Sequence, residues 1–511
     1  MAVDQITTSR AYMTKQVASL SKTLQEKTAQ LATGKVSNTY GGVGNSRLLD
    51  LELTQKVGRI EAYQDTIVTA ELHIKSLNLT LERMEELRID SKSAIDPNDF
   101  EMQSDGQTRS QATSEVLLFE AVSLLNTEVA GYYLFGGSDA DKNPVSAVNA
   151  ILDGADGKDG LRAVMSEYAA ANLGPNNNGR MDVSALTTNY AGSIPTDSTF
   201  TVAEDGAHDF GFDISSVTNG LSNVAVTGPG GGDPDSFDIS FTGQPTVGET
   251  ISIALTLPPD HSEPVTIELT AKSNANTADS FTIGADLEET AANLRAAINT
   301  ALEEQASTTL RAASDEWAGN QFFDTFGGTE PMRVDGPPFD TATGLVAGGS
   351  TTVSWYTGDN TATTNAREDK SAAIDQNLII NYGARANEQG LADVVKSLAI
   401  FVAADFTGGT DQDEIYYSQL ATNLRGILQP STTDQSGIVD ISTEVSIAHR
   451  TLSATSDRHL QMKSSYQTTI DEIEGVDKEL LAAEILQLQT NIEASYKASS
   501  IVYNLSLVNY L

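Results

Sequence analysis

The chain has 511 residues, with 31 basic and 70 acidic side chains and a formal net charge of −39 at pH 7. This excess of acidic residues argues against a nucleic-acid binder, because phosphate binding depends on Lys and Arg. The chain has no cysteine, which excludes disulfides, thiolate metal sites and cysteine nucleophiles. Its length predicts about three or four domains.

The amino terminus predicts no cleavable export signal. Residues 1–6 lack a positively charged start and an apolar run of about 7–15 residues. No stretch of about 18 consecutive apolar residues occurs anywhere in the chain, so the sequence also predicts no membrane span.

Apolar residues in the first quarter of the chain recur every three or four positions, which predicts helices. A first stripe consists of Met13, Val17, Leu20, Leu24 and Leu31. A stricter stripe alternates spacings of three and four through Ile60, Tyr63, Ile67, Ala70, Ile74, Leu77, Leu81 and Met84. Such a seven-residue repeat is typical of a coiled-coil seam. A shorter stripe runs from Leu118 to Val129.

Glycines mark the end of the first helix and a hinge after it. Thr33-Gly34-Lys35 is not a phosphate loop, because the earlier glycine is missing and Val36 replaces the required Ser or Thr. We interpret Gly34 as a helix stop, with Lys35 complementing the negative helix end. The glycines that follow predict a hinge between two helices, at Gly41, Gly42 and Gly44.

Residues 138–370 differ in composition from both ends of the chain. They contain 12 of the 14 prolines, 24 of the 40 glycines, and 34 acidic against 10 basic residues. Alternating polar and apolar residues predict strands within 246–257 and 265–270, and the spacing of Leu287, Leu294 and Ile298 predicts an amphipathic helix. We also expect a β-hairpin between 351–356 and 377–382. A chain with similar ends and a different middle predicts ends that fold together around an insertion.

Helical spacing returns after the insertion. From Val445 to Val476 the same three–four alternation recurs, and a further stripe follows through Leu481, Ile485, Leu488 and Ile492. The predicted fold class is therefore mainly α, a long coiled-coil-like helical bundle made from paired N- and C-terminal regions, with an inserted β-rich (α+β) outer region. The predicted domains are 1–45 with 465–511, 46–145 with 370–464, and the acidic insertion 146–369.

Candidate catalytic groups are few. His73, His449 and His459 lie on or beside helical stripes, where a packing role is the better interpretation. The sequence has neither a His-Glu-x-x-His metalloprotease motif nor a Gly-x-Ser-x-Gly nucleophile motif. Two acidic clusters, around Asp153–Asp159 and Asp233–Asp238, offer oxygen ligands but do not match a calcium loop, so a solvated acidic surface is favoured. We predict no catalytic, metal or cofactor-binding residues and no cofactor.

Three segments resemble the bacterial flagellin family. Residues 30–37 (Gln-Leu-Ala-Thr-Gly-Lys-Val-Ser) resemble the segment that ends the family's first helix. Residues 131–144, beginning Gly-Tyr-Tyr-Leu-Phe-Gly-Gly-Ser-Asp, and the closing 505–511 resemble the hook-associated junction members of the family more than its filament flagellins. The resemblance covers about 1–145 and 370–511.

The resemblance implies a non-enzymatic structural subunit of the bacterial flagellum, secreted through a type III export channel without a cleaved signal. Implied partners are copies of itself, other flagellar axial proteins and a cytoplasmic export chaperone, with no nucleic acid and no membrane. The terminal helices would order when they dock on neighbouring subunits, because a narrow apolar stripe cannot offset their ordering entropy alone. The outer insertion would project to solvent.

The predicted assembly interface consists of Leu20, Leu24, Leu31, Leu481, Ile485, Leu488, Ile492 and Leu505, and the predicted bundle core of Ile60, Ile67, Ile74 and Leu81. Position at the hook–filament junction and position in the filament both remain open. One alternative is a flagellin-family scaffold whose insertion binds calcium or a surface ligand. Another is a phage or secretion-system tail protein with coiled-coil ends.

Overall fold

The computed structural model describes residues 2–104, 106–275, 277–361, 364–430 and 437–508. They divide into two compact units. The first consists of the described residues of Met1–Glu71, Ala372–Ile380 and Arg450–Leu511, so it draws on both ends of the chain. The second consists of those in Leu72–Ser371 and Asn381–His449. The predicted division into three domains stays a prediction.

Long helices account for much of the described chain. The helices are α1 (Ala2–Thr33), α2 (Arg47–Ala94), α3 (Arg109–Leu125), α4 (Val148–Asp153), α5 (Leu161–Leu173), α6 (Leu287–Gln305), α7 (Arg311–Phe323), α8 (Gln389–Ala403), α9 (Asp411–Ile427), α10 (Gly437–Glu474) and α11 (Lys478–Val508). A π-turn at Ala306–Leu310 joins α6 to α7. No helix among the described residues has the length and apolar character needed to cross a bilayer.

Strands lie mostly in the middle of the chain. They are β1 (Glu128–Val129), β2 (Tyr132–Tyr133), β3 (Met181–Val183), β4 (Thr187–Ala191), β5 (Ile194–Glu204), β6 (Asp213–Asn219), β7 (Val224–Thr227), β8 (Ser236–Phe241), β9 (Thr250–Thr256), β10 (Pro264–Lys272), β11 (Ser280–Thr282), β12 (Met332–Val334), β13 (Leu345–Ala347), β14 (Ser371–Asp375) and β15 (Leu378–Asn381). One sheet has the order β11-β10-β9-β6, and another has the order β3-β5-β8-β7 with β4 paired to β5.

The predicted fold class is wrong. The protein is 52% helical and 18% strand, a mixed α/β protein rather than a mainly α coiled-coil bundle. The stripe periodicity identified the helices but not their partners. Several of them, including α3, α8 and α9, belong to the same compact unit as the sheets. The long helices α1 and α11 alone lie wholly in the first unit.

The two sheets of the middle region share one apolar core with α6. Its buried side chains come from alternating positions of β9 and β10, such as Ile253 and Ile267, and from the apolar face of α6, such as Leu294 and Ile298. The predicted strands at 246–257 and 265–270 and the predicted helix are thus confirmed as β9, β10 and α6.

The expected hairpin between 351–356 and 377–382 is wrong. Strand β15 pairs with β14, across a short turn, rather than with 351–356. Residues 351–356 make only isolated bridges, between Thr352 and Asp159 and between Tyr356 and Val145. Trp355 and Tyr356 are fully buried, so their apolar character reflects core packing instead of strand pairing.

Candidate assembly surface

Helices α1 and α11 pack against each other in antiparallel directions. The Lys27 ammonium lies 2.6 Å from the Glu484 carboxylate. Beyond the end of α1 the backbone continues the pairing, because the Val36 amide donates to the Glu474 carbonyl (2.7 Å) and the Val476 amide donates to the Gly34 carbonyl (3.1 Å). These contacts fix the register of the two ends of the chain.

The predicted assembly residues lie on these two paired helices. Leu481, Ile485 and Ile492 are buried, and Leu20, Leu24, Leu31 and Leu488 are half-buried. The side chain of Leu505 lies outside the described residues. The structure therefore places all eight positions on one intramolecular helix pair, with the side chains of seven described, and their contact with a neighbouring copy stays a prediction.

The helix pair buries little of its own surface. Among the side chains described in α1, those of residues 11–33, none is buried. Large apolar side chains also face solvent on both helices, and they are Tyr12, Leu480, Leu486, Tyr496 and Ile501. Single exposed apolar residues are ordinary, but a run of them along two poorly buried helices indicates a surface that a partner covers. Sequence reasoning missed these residues because they lie off the periodic stripe.

The connection between α1 and α2 contains the predicted hinge glycines. Helix α1 ends at Thr33, and Gly34 has a φ of +72°, which confirms the predicted helix stop. Gly41 and Gly42 form a 3₁₀ turn, and Gly44 opens a second one with a φ of +71°. A methyl group on Gly42 would lie 2.4 Å from Ser37 Cβ, whereas one on Gly41 would meet nothing within 4 Å.

A buried carboxylate lies in the same region. Asp50, in the first turn of α2, is fully buried, and its two oxygens have no hydrogen-bond partner among the described residues. Burial and the negative charge of Glu474 raise the pKa of Asp50. Glu474 in turn pairs with Lys35 at 2.5 Å. Nothing in the periodicity of the sequence distinguishes Asp50 from a solvated acid at a helix start.

Within the first unit, α2 packs against α10 in antiparallel directions. Gln64 donates from Nε2 to the Ser456 carbonyl (3.1 Å), and the rings of Tyr63 and His459 have centroids 5.9 Å apart. His459 Nε2 also lies 3.4 Å from Asp375. His459 thus occupies a packed, structural position.

The four predicted bundle-core residues all lie on α2, and all four are buried. They are Ile60, Ile67, Ile74 and Leu81. The strict seven-residue spacing therefore coincides with the buried face of the helix.

The Tyr-Leu-Phe-Gly-Gly segment forms a tight bend in the second unit. Leu134 and Phe135 are buried, and the Gly137 amide donates to the Ala384 carbonyl (3.1 Å). A Cβ on Gly136 would lie 2.3 Å from the Asp139 carbonyl oxygen, and one on Gly137, where φ is +65°, would lie 2.9 Å from Asp369. Both positions therefore require glycine.

That bend rests on a buried ion pair. Arg385 binds Asp369 through two hydrogen bonds, from Nε (2.6 Å) and from Nη2 (2.7 Å). Both side chains are nearly inaccessible to solvent. The motif that carries the family resemblance thus has a structural role in this chain.

Members of both acidic clusters bind protein groups. Asp153 pairs with Arg162 at 3.2 Å, and Asp159 pairs with Arg333 at 2.8 Å. Asp235 accepts backbone N–H bonds from the turn at 230–232, at 2.6–3.2 Å, and the bond from Gly230 is the chief cause of its lowered pKa. In the described part of the chain, no group of three or more His, Asp or Glu residues could hold a metal ion.

No protein-family model matches the chain, and no curated protein matches it.

Proposed function

We propose that this protein is a structural subunit of the bacterial flagellum that polymerises through its terminal helices, either at the hook–filament junction or in the filament. The observation that carries the proposal is the low burial of the α1–α11 pair. No described side chain of α1 is buried, and five of the large apolar side chains described on the two helices face solvent. The sequence resemblance of the helix ends and of residues 131–144 supports the same function.

The physical basis is coupled folding and assembly. A helix pair with little buried apolar area gains little free energy to offset its ordering entropy. Covering the exposed side chains with the same helices of neighbouring copies adds burial, so the ordered form becomes stable when the copies associate. Such a subunit acts without catalysis. Its partners would be copies of itself and other flagellar axial proteins, and an export chaperone would bind the chain before secretion.

The exposed apolar residues of α11 provide the test. We expect the double variant Leu486→Ser/Tyr496→Ser to leave the purified monomer folded but to abolish filament or ring formation, measured by sedimentation and electron microscopy. The matched control is Ile194→Ser on β5, which removes an equally exposed apolar side chain outside the terminal helices and should assemble normally. Unchanged assembly of the double variant would contradict the proposal.

The form of the assembly distinguishes a subunit of the filament from a subunit of the hook–filament junction. Long filaments grown from purified protein alone would indicate a filament subunit, whereas growth limited to short rings would indicate the junction. Localisation by immunogold labelling on detached flagella, along the whole length or at one end, gives the same distinction independently. A chain that lacks residues 1–40 should form neither filaments nor rings.

A further inference from the structure

A half-open cavity of about 920 Å³ is lined wholly by residues of the second unit. Its walls come from the turn before α3, from one side of α5 and the turn after it, from α7 and α9, and from the segment that follows α8. The volume falls within the roughly 300–1,000 Å³ of small-molecule sites. Neither the periodicity nor the motifs of the sequence indicated it, because its walls are far apart in the chain.

Opposite charges line the cavity in similar numbers. Arg162 and Arg311 contribute the positive charges, and Asp340 and Asp405 contribute negative ones. Arg162 already pairs with Asp153, and Arg311 donates from Nη2 to the Asp405 carbonyl at 3.0 Å. Because charges of both signs lie side by side, the lining favours neither a simple anion nor a simple cation.

A buried acid forms part of the cavity wall. Asp315 accepts a hydrogen bond from the Tyr416 hydroxyl, and the Arg311 guanidinium stacks 4.3 Å from the centre of the Tyr416 ring. Burial raises the pKa of Asp315 to about 7. A buried, perturbed acid beside a charged partner in a cleft is a frequent feature of functional sites.

The remaining wall is a short apolar strip along α5. It consists of Met165, Ala169, Ala170 and Leu173, and Ser166 lies beside it with an exposed hydroxyl. The cavity therefore combines hydrogen-bond donors, hydrogen-bond acceptors and a narrow apolar surface.

We propose that this cavity binds a neutral saccharide. Sugar hydroxyls both donate and accept hydrogen bonds, which suits a wall that presents guanidinium donors and carboxylate acceptors together. The C–H face of a sugar ring suits the alanine-rich strip of α5. A guanidinium has five N–H donors, and the contacts named above use only some of those of Arg162 and Arg311. A purely apolar ligand would leave the other donors unmet, which is costly. The site does not depend on filament assembly, so it can be tested on the monomer.

Saturation-transfer NMR on the full-length monomer tests the proposal with glucose, galactose, N-acetylglucosamine and maltose, together with glucuronate and inorganic phosphate. We expect transfer to at least one of the neutral sugars. Ser166→Trp places an indole in the cavity and should weaken that binding about tenfold or more. The matched control, Ala296→Trp, adds the same ring on the exposed side of α6 and should bind as the parent does.

Three outcomes would overturn the proposal. They are transfer to glucuronate or phosphate alone, no transfer to any neutral sugar, and equal binding by the parent and Ser166→Trp. If Ser166→Trp unfolds at a lower temperature than the parent, Ala169→Leu replaces it as a smaller addition to the same wall. A variant that loses sugar binding should still assemble. A negative result for sugar binding therefore does not contradict the proposed assembly function, and a negative result for assembly does not contradict sugar binding.

Discussion

Asp315 shows how a single buried acid couples stability to pH. Burial in the native state raises the pKa of this carboxyl to about 7, against the opposing effects of Tyr416 and Arg311, whereas the unfolded chain gives it an ordinary value of 3.8. A pKa raised by folding means that the folded state binds the proton more tightly. The stabilisation is present at low pH and is lost as the pH rises through about 7.

The variant Asp315→Asn tests this directly. The amide keeps an acceptor for Tyr416 but never ionises, so at pH 8 we expect it to unfold at a higher temperature than the parent, with a gain of up to about 4 kcal/mol. Near pH 4 the two proteins should have similar stability, because both groups are then neutral. A gain of the same size at both pH values would show that the effect is not ionisation. Thermal unfolding followed by circular dichroism at the two pH values measures it.

Gly136 is required by the close approach of backbone, and Gly137 is required by its positive φ of +65°. A methyl group on Gly136 would overlap the Asp139 carbonyl, which is backbone and cannot rotate away. We expect Gly136→Ala to lower the free energy of unfolding by about 2–4 kcal/mol. Gly230→Ala is the control, because a methyl group there meets nothing within 4 Å and φ is not positive. Chemical denaturation of both variants gives the comparison, and equal stability would contradict the overlap.

At the scale of elements, α11 has two faces with different roles. Ile485 is buried and Leu486, the next residue, is 64% exposed. Adjacent residues on a helix point about 100° apart. Ile485 therefore lies on the face of α11 that packs within the chain, and Leu486 lies on the face exposed to solvent.

We expect Ile485→Ala to destabilise the α1–α11 pair by about 1–3 kcal/mol, because it removes buried apolar area. Leu486→Ala should change monomer stability by less than about 0.5 kcal/mol. Helix content against temperature, measured on the monomer, distinguishes them. Similar destabilisation by both changes would mean that α11 is covered on both faces within one chain.

At the scale of the whole molecule, the two compact units differ in how much of their apolar side-chain surface is buried. The second unit contains the shared core of two sheets and α6, together with a cluster of packed aromatic rings that includes Phe401, Phe406 and Tyr417. The described side chains of the terminal helices, those of residues 11–33 and 478–501, form no comparable core. Local unfolding should therefore begin in the terminal helices.

Limited proteolysis of the monomer checks this order. We expect early cleavage within α1 and α11 and a resistant fragment close to residues 72–449, identified by mass spectrometry. Assembly should protect the terminal helices by covering them. Early cleavage inside β9 or α6, with α1 left intact, would contradict the expected order.

Much of the local structure could be predicted from the sequence. The three–four spacing identified the long helices, alternation identified β9 and β10, and Gly34 identified the end of α1. These signals are local, since they depend on which side chains share one face of an element. The expected hairpin at 351–356 failed because Trp355 and Tyr356 are apolar for a tertiary reason, their burial in the core.

The sequence by itself determined the helical ends, the acidic β-containing middle, and the exclusion of cysteine chemistry, because composition and periodicity are properties of the chain alone. Only the tertiary structure decided that the protein is mixed α/β, that Asp50 and Asp315 are buried, and that α5, α7 and α9 line one cavity. Burial depends on which distant segments meet, and no local pattern records that. The net charge of −39 is a sum over the whole chain, and it does not show where folding brings acidic and basic side chains together in the interior.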